Sequence, residues 1–181
     1  MGLLSKLDSR PGAALSKLVF AAAALVASAR HKNIEHLVLT YNVLWFGAAV
    51  LWFAVMPRWS MDWMVPRGLD KEKRHLIKTV EACVRFLGGM NSGMLALSVM
   101  TLLARQASEP LFSKGPERRI LFYGFAVGHF SQFFINIPGF VTRGSKRPLW
   151  PEPDTSMLCV FVIDLAMFAL NFWAGRNAQD D

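Results

Sequence analysis

The apolar positions of the chain gather into four long runs, at about residues 34–56, 76–105, 116–137 and 156–174. Charged or proline-containing segments separate them. A bilayer core about 30 Å thick is crossed by roughly 20 apolar residues in helical form. Each run therefore predicts a membrane-spanning helix. The signals at the run ends agree with that reading. Asn33 is placed to cap the first helix, and Pro57-Arg58 to stop it. Trp59 and Trp63 beside Arg58 read as an anchor at the membrane interface. Gly115-Pro116-Glu117 has the proline and acid of a helix start, and Pro138-Gly139 closes the third run. Residues 141–155, with Arg143, Lys146, Arg147, Trp150 and three prolines, predict a loop outside the membrane.

Ahead of the first run, residues 1–32 carry Lys6, Arg10, Lys17, Arg30 and Lys32 against one acid, Asp8. They fit a cleaved targeting segment, a short extra span or a helix lying in the interface. Lys17 interrupts the apolar stretch and favours the interfacial helix. The predicted fold is an all-α integral membrane four-helix bundle with an N-terminal amphipathic, interfacial helix. Its organisation is a basic surface segment (1–32), a membrane domain (33–175) and a tail (176–181).

Composition narrows the class. The 181 residues are 53% hydrophobic, which is too apolar, in blocks too long, for one water-soluble core. The formal net charge of +7 sits in residues that flank the apolar runs, so the expected partner is the anionic lipid surface and not nucleic acid. Lys and Arg divide almost evenly between the two sides, so the positive-inside rule gives no orientation. The kind of membrane is equally open, with the endoplasmic reticulum or another organelle favoured. Cys83 and Cys159 lie inside apolar runs and behave there as small hydrophobes.

Within the apolar runs a polar set stands out. The first run holds Asn42, the second Glu81, Arg85 and Asn91, the third His129, Gln132 and Asn136, and the fourth Asp164 and Asn171. His129, Gln132 and Asn136 are three and four residues apart, and Asp164 and Asn171 seven apart, so each group shares a helix face. Such groups are costly in hydrocarbon and turn inward to partners. Counted along the helices at about 1.5 Å per residue, His129 and Asp164 both reach mid-membrane. Asp164 is accordingly expected to pair with His129, Arg85 or both. Glu81 and Arg85 form an i,i+4 pair. Gly88, Gly89 and Gly93, and then Gly124 and Gly128, supply small-xxx-small spacings for close helix packing.

Catalytic signatures are missing from this pattern. There is no HExxH, paired CxxC, GxSxG or phosphate-binding glycine loop, and no metal site is predicted. A second histidine at the depth of His129 would be needed for bis-histidine haem, and His31, His36 and His75 lie at or beyond run ends. No cofactor is assigned.

Two short motifs, Arg85-Phe86-Leu87-Gly88 in the second run and Gly128-His129-Phe130 in the third, carry a family likeness. In them the chain resembles the four-span endoplasmic-reticulum scaffold family of sterol (ergosterol) biosynthesis. The resemblance covers the middle third of the chain. It departs at Gln132, where the family has an acid shortly after its histidine, and in the long proline-rich loop 141–155. It implies a non-catalytic protein that tethers membrane enzymes. The leading expectation is thus a scaffold or accessory subunit of a membrane protein complex, with other membrane proteins as partners. The alternative is a small transporter or proton-conducting protein built on a polar cavity around His129 and Asp164. A lipid- or pigment-handling membrane enzyme is a third.

Overall fold

The structure is a computed structural model, and the residues it describes are 19, 22, 23, 26, 33–64, 74–106, 111, 112, 114–141 and 155–178. The expectations for residues 1–32 and for the loop 141–155 fall almost wholly outside them. Among the described residues the regular structure is all helical. Helix α1 (Ile34–Val50) runs into a π-helical turn, Leu51–Val55, followed by α2 (Pro57–Met64), α3 (Arg74–Gln106), α4 (Gly115–Val141) and α5 (Thr155–Asn177). Among the described residues two stretches, Ile34–Val55 and Ile77–Arg105, are long and apolar enough to cross a membrane.

Helix starts follow the sequence signals. Asn33 Oδ1 accepts from the backbone N–H groups of Glu35 and His36, at 3.0 and 3.3 Å, two of the donors a helix leaves unmatched. At α4 the Glu117 carboxylate reaches back to the Lys114 N–H, at 3.4 Å, in capping-box fashion. One expected stop fails. Pro138 does not end α4, which continues to Val141. A proline in the last turn forfeits one backbone bond but keeps a helical φ, so the helix can run through it.

The chain divides into two compact units, Met1–Arg30 with Val43–Ala96, and His31–Asn42 with Leu97–Asp181. The boundary passes through α1 and α3.

In the first unit, the end of α1 is rebuilt around Pro57. The Met56 N–H bonds to the Leu51 carbonyl at 2.9 Å, five residues back. The next donor in that ladder would come from residue 57, which as proline has none. The Trp52 carbonyl is instead satisfied by the Ser60 hydroxyl, at 2.7 Å and fully buried. Replacing Ser60 by alanine leaves that carbonyl unmatched, and the expected cost is about 1–3 kcal/mol. Thermal unfolding in mild detergent reads it, and an unchanged midpoint would mean another donor takes the place.

Trp45, Trp52 and Trp59, seven residues apart, pack edge to face and then tilted, with ring centroids 6.1 and 5.6 Å apart. Trp59 is therefore a buried packing residue and not the interfacial anchor expected of it. α3 closes on this segment through Gly88, where a Cβ would meet the Ala54 backbone N at 2.5 Å.

In the second unit α4 and α5 run antiparallel. The ring pairs Phe133–Phe161, Phe130–Phe168 and Tyr123–Phe172, at 4.4, 5.3 and 5.4 Å, record the opposed directions. Gly175 lets the Tyr123 ring approach, since a Cβ there would lie 2.8 Å from it. One end of the unit is tied by charge. Arg105 donates to Glu35 at 2.6 Å, Arg118 lies 4.0 Å from the same oxygen, and Arg119 donates to the Ala178 carbonyl at 3.2 Å. The start of α1, the end of α3, the start of α4 and the end of α5 meet there.

Candidate functional site

Four helix-borne polar side chains converge inside the second unit, and all four have no exposed surface: Asn42, His129, Asp164 and Asn171. α1 supplies Asn42, α4 supplies His129, and α5 supplies Asp164 and Asn171, two helical turns apart on one face. His129 stands at the centre. Its Nδ1 lies 3.1 Å from Asp164 Oδ1, and its Nε2 lies 3.0 Å from Asn42 Oδ1. The two asparagines pair reciprocally. Asn42 Nδ2 donates to Asn171 Oδ1 at 2.7 Å, and Asn171 Nδ2 donates to Asn42 Oδ1 at 3.1 Å. Asn171 Nδ2 also donates to the Met167 carbonyl one turn back, at 2.8 Å. Each named contact joins members of the set or their own backbone, and these contacts meet the hydrogen bonding that low-dielectric surroundings require of the atoms they join.

Charge complementarity at this depth rests on the imidazole and the carboxyl. A buried carboxylate without a cationic or donor partner costs several kcal/mol, and His129 supplies that partner directly. Along α4 the set is separated from Arg118 by Leu121, Phe122, Phe125 and Ala126, all buried and apolar.

The other residues singled out in the sequence are placed differently. Arg85 lies in the first unit. It binds Glu81 Oε1 through Nη2 at 2.9 Å and donates from Nη1 to the Ala54 carbonyl at 2.9 Å. The π turn and Pro57 leave carbonyls at the end of α1 in need of donors, and Arg85 answers one of them. Asn91 is buried in the first unit and donates to the Leu87 carbonyl at 2.9 Å. Gln132 is half-buried one turn beyond His129, and the side chain of Asn136 is outside the described residues. Among the glycines, Gly88 makes the close approach already noted. Gly89, Gly93 and Gly124 face open space, and a Cβ added at any of them would meet nothing within 4 Å. The half-buried Gly128 accepts the Ser131 hydroxyl on its carbonyl at 2.7 Å.

The Glu35–Arg105–Arg118 layer was not expected from the sequence. Its members lie at run ends, where charge also serves simply to meet water, and 70 residues separate Glu35 from Arg105. Among the described residues no group of three His, Cys, Asp or Glu side chains is placed to hold a metal. Compared with protein families, with curated proteins and with solved structures, the chain matches none.

Proposed function

We propose that this chain is a small multi-pass membrane protein that acts as a non-catalytic scaffold or accessory subunit. It holds other membrane proteins against its outer helix faces. The observation that carries the reading is the open face of α3. Ala82, Phe86, Gly89, Gly93 and Ala96 are all exposed and recur in alternating steps of four and three. Phe86 leaves 70% of its surface uncovered, while Gly89 and Gly93 between them make a shallow groove with nothing in it. Such a seam lets a second helix backbone approach closely, which is how helices associate where lipid already satisfies apolar surface.

Residence in a bilayer is supported by the sidedness of the other helices. Ile120, Val127 and Phe134 are exposed at seven-residue intervals along α4, while His129 on the same helix is fully enclosed. Apolar outside and polar inside suits a hydrocarbon solvent. α4 and α5 are 27 and 23 residues long, and at 1.5 Å per residue about 40 and 35 Å, enough to cross with the other two.

The likeness to the endoplasmic-reticulum scaffold family rests on Arg85, Gly88 and His129. Arg85 and Gly88 join α3 to the end of α1, and His129 organises the buried set. Conduction of protons or ions is the second reading, and it draws on the buried His129–Asp164 pair.

The test is to purify the protein in mild detergent and identify what travels with it. Stoichiometric membrane proteins are expected. Gly93→Leu should remove them while the melting midpoint stays within about 2 °C, since the site is open and such substitutions change stability by about 0.5 kcal/mol or less. A protein that purifies alone, or that carries a pigment or metabolite, overturns the scaffold reading.

A further inference from the structure

The backbone carbonyl of Met167 fixes where the protons of the buried set must be. A backbone carbonyl can only accept, so the Asn171 atom 2.8 Å from it is the amide nitrogen. That orientation turns Asn171 Oδ1 toward Asn42, at 2.7 Å, and the Asn42 atom facing it must be a donor nitrogen. Turning the Asn42 amide over would set oxygen against oxygen at 2.7 Å and nitrogen against nitrogen at 3.1 Å. Asn42 Oδ1 is thereby held toward His129 Nε2, at 3.0 Å, and that nitrogen must carry a proton. One assignment determines the next across three helices.

The other ring nitrogen then has two arrangements. With Nε2–H fixed, a neutral imidazole presents the Nδ1 lone pair to Asp164 Oδ1 at 3.1 Å and needs a protonated carboxyl to donate into it. Alternatively Nδ1 also carries a proton and donates to the carboxylate. The two differ only in which atom of one hydrogen bond holds the proton, and the pair has zero net charge in both. Removing that proton sets a lone pair against a carboxylate oxygen at 3.1 Å, with no exposed surface from which water could intervene.

From this we infer that His129 and Asp164 form a one-proton site, and that the Asn42–Asn171 amide pair, anchored on Met167, locks the proton in. Loss of the proton requires both amides to turn over together, or α4 to separate from α5. The site is thus a latch: the shared proton closes α4 onto α5, while Nε2–H joins α4 to α1 and the amide pair joins α1 to α5. From α1 the group that meets the ring is the neutral Asn42. The inference does not depend on the scaffold reading, because it concerns the interior of the unit and not its partners.

Nitrogen-15 NMR of the full-length protein in mild detergent, labelled at histidine, tests it. The chain has 4 histidines, and the His129 resonances are assigned by their loss in His129→Gln. The expected signature is a proton on Nε2 protected from exchange, with the remaining proton in the Nδ1–Asp164 bond. A bare Nε2 with the proton on Nδ1 overturns the assignment. Asn171→Leu cuts the link to Met167, and both ring tautomers should then appear. A ring still wholly Nε2-protonated in that variant overturns the lock. Asp164→Asn supplies a permanent neutral donor in place of the shared proton. It should leave the unfolding equilibrium constant within tenfold of the parent and His129 neutral. A His129 that becomes Nδ1-protonated in Asp164→Asn, or a hundredfold loss of folded protein, overturns the one-proton site.

Discussion

His129→Leu is expected to lower the stability of the folded protein in mild detergent by about 3–5 kcal/mol. The substitution removes the ring nitrogen that faces Asp164 Oδ1 and one of the two donors to Asn42 Oδ1, at positions with no exposed surface. Polar contacts between membrane helices average only about 0.6 kcal/mol, and on that figure the change would scarcely register. The larger value applies because truncating one member of a buried ionisable pair strands the other, whereas the average describes contacts whose members find replacements. The same reasoning predicts partial recovery in the double variant His129→Leu with Asp164→Leu, which removes the need along with the partner. Urea or thermal unfolding of the single and double variants checks both statements. A single-variant loss below about 1 kcal/mol, with no recovery in the double, would mean that the carboxyl finds another partner when the ring is gone.

Gly88→Ala should cost about 3 kcal/mol, at the upper end of the usual range for overpacking. A Cβ at residue 88 would lie 2.5 Å from the Ala54 N, 2.8 Å from its Cβ and 2.9 Å from its Cα. Two of those three atoms are backbone, so no rotamer change relieves the contact and α3 must move off the π turn. Arg85, one turn earlier on α3, would then lose its hold on the Ala54 carbonyl. Gly89→Ala is the matched control, since nothing lies within 4 Å of that position and alanine is the better helix former. The two variants, compared by melting midpoint, should move in opposite directions. Equal effects would mean that the close approach to Ala54 is not maintained.

The buried set was largely legible in the sequence because helical periodicity is. Asparagine, histidine and aspartate stand out against apolar runs, and their spacing and depth bring Asp164 to the level of His129. Depth says less about Arg85, because a count along an ideal helix does not include the needs of a helix end. The π turn and Pro57 leave Ala54 and Trp52 carbonyls seeking donors, and Arg85 and Ser60 are taken by them. The tryptophans show a second limit. Arg58 beside Trp59 and Trp63 has the composition of an interface, yet Trp59 continues a seven-residue series with Trp45 and Trp52 that only a helical projection reveals. Glycine spacing likewise marks a helix suited to close approach without naming the face that receives it. Gly88 meets Ala54, while its neighbour Gly89 meets nothing.

The asparagine pair also sets a clock on synthesis. Asn42 and Asn171 are 129 residues apart in sequence, and at 5–20 residues per second the ribosome needs roughly 6–26 s to travel between them. Throughout that interval Asn42 is without its amide partner. His129 emerges without Asp164, and α5 carries both missing groups. A chain stalled or truncated before α5 therefore displays unmet polar groups, a mark by which a quality-control system could tell an unfinished copy from a complete one.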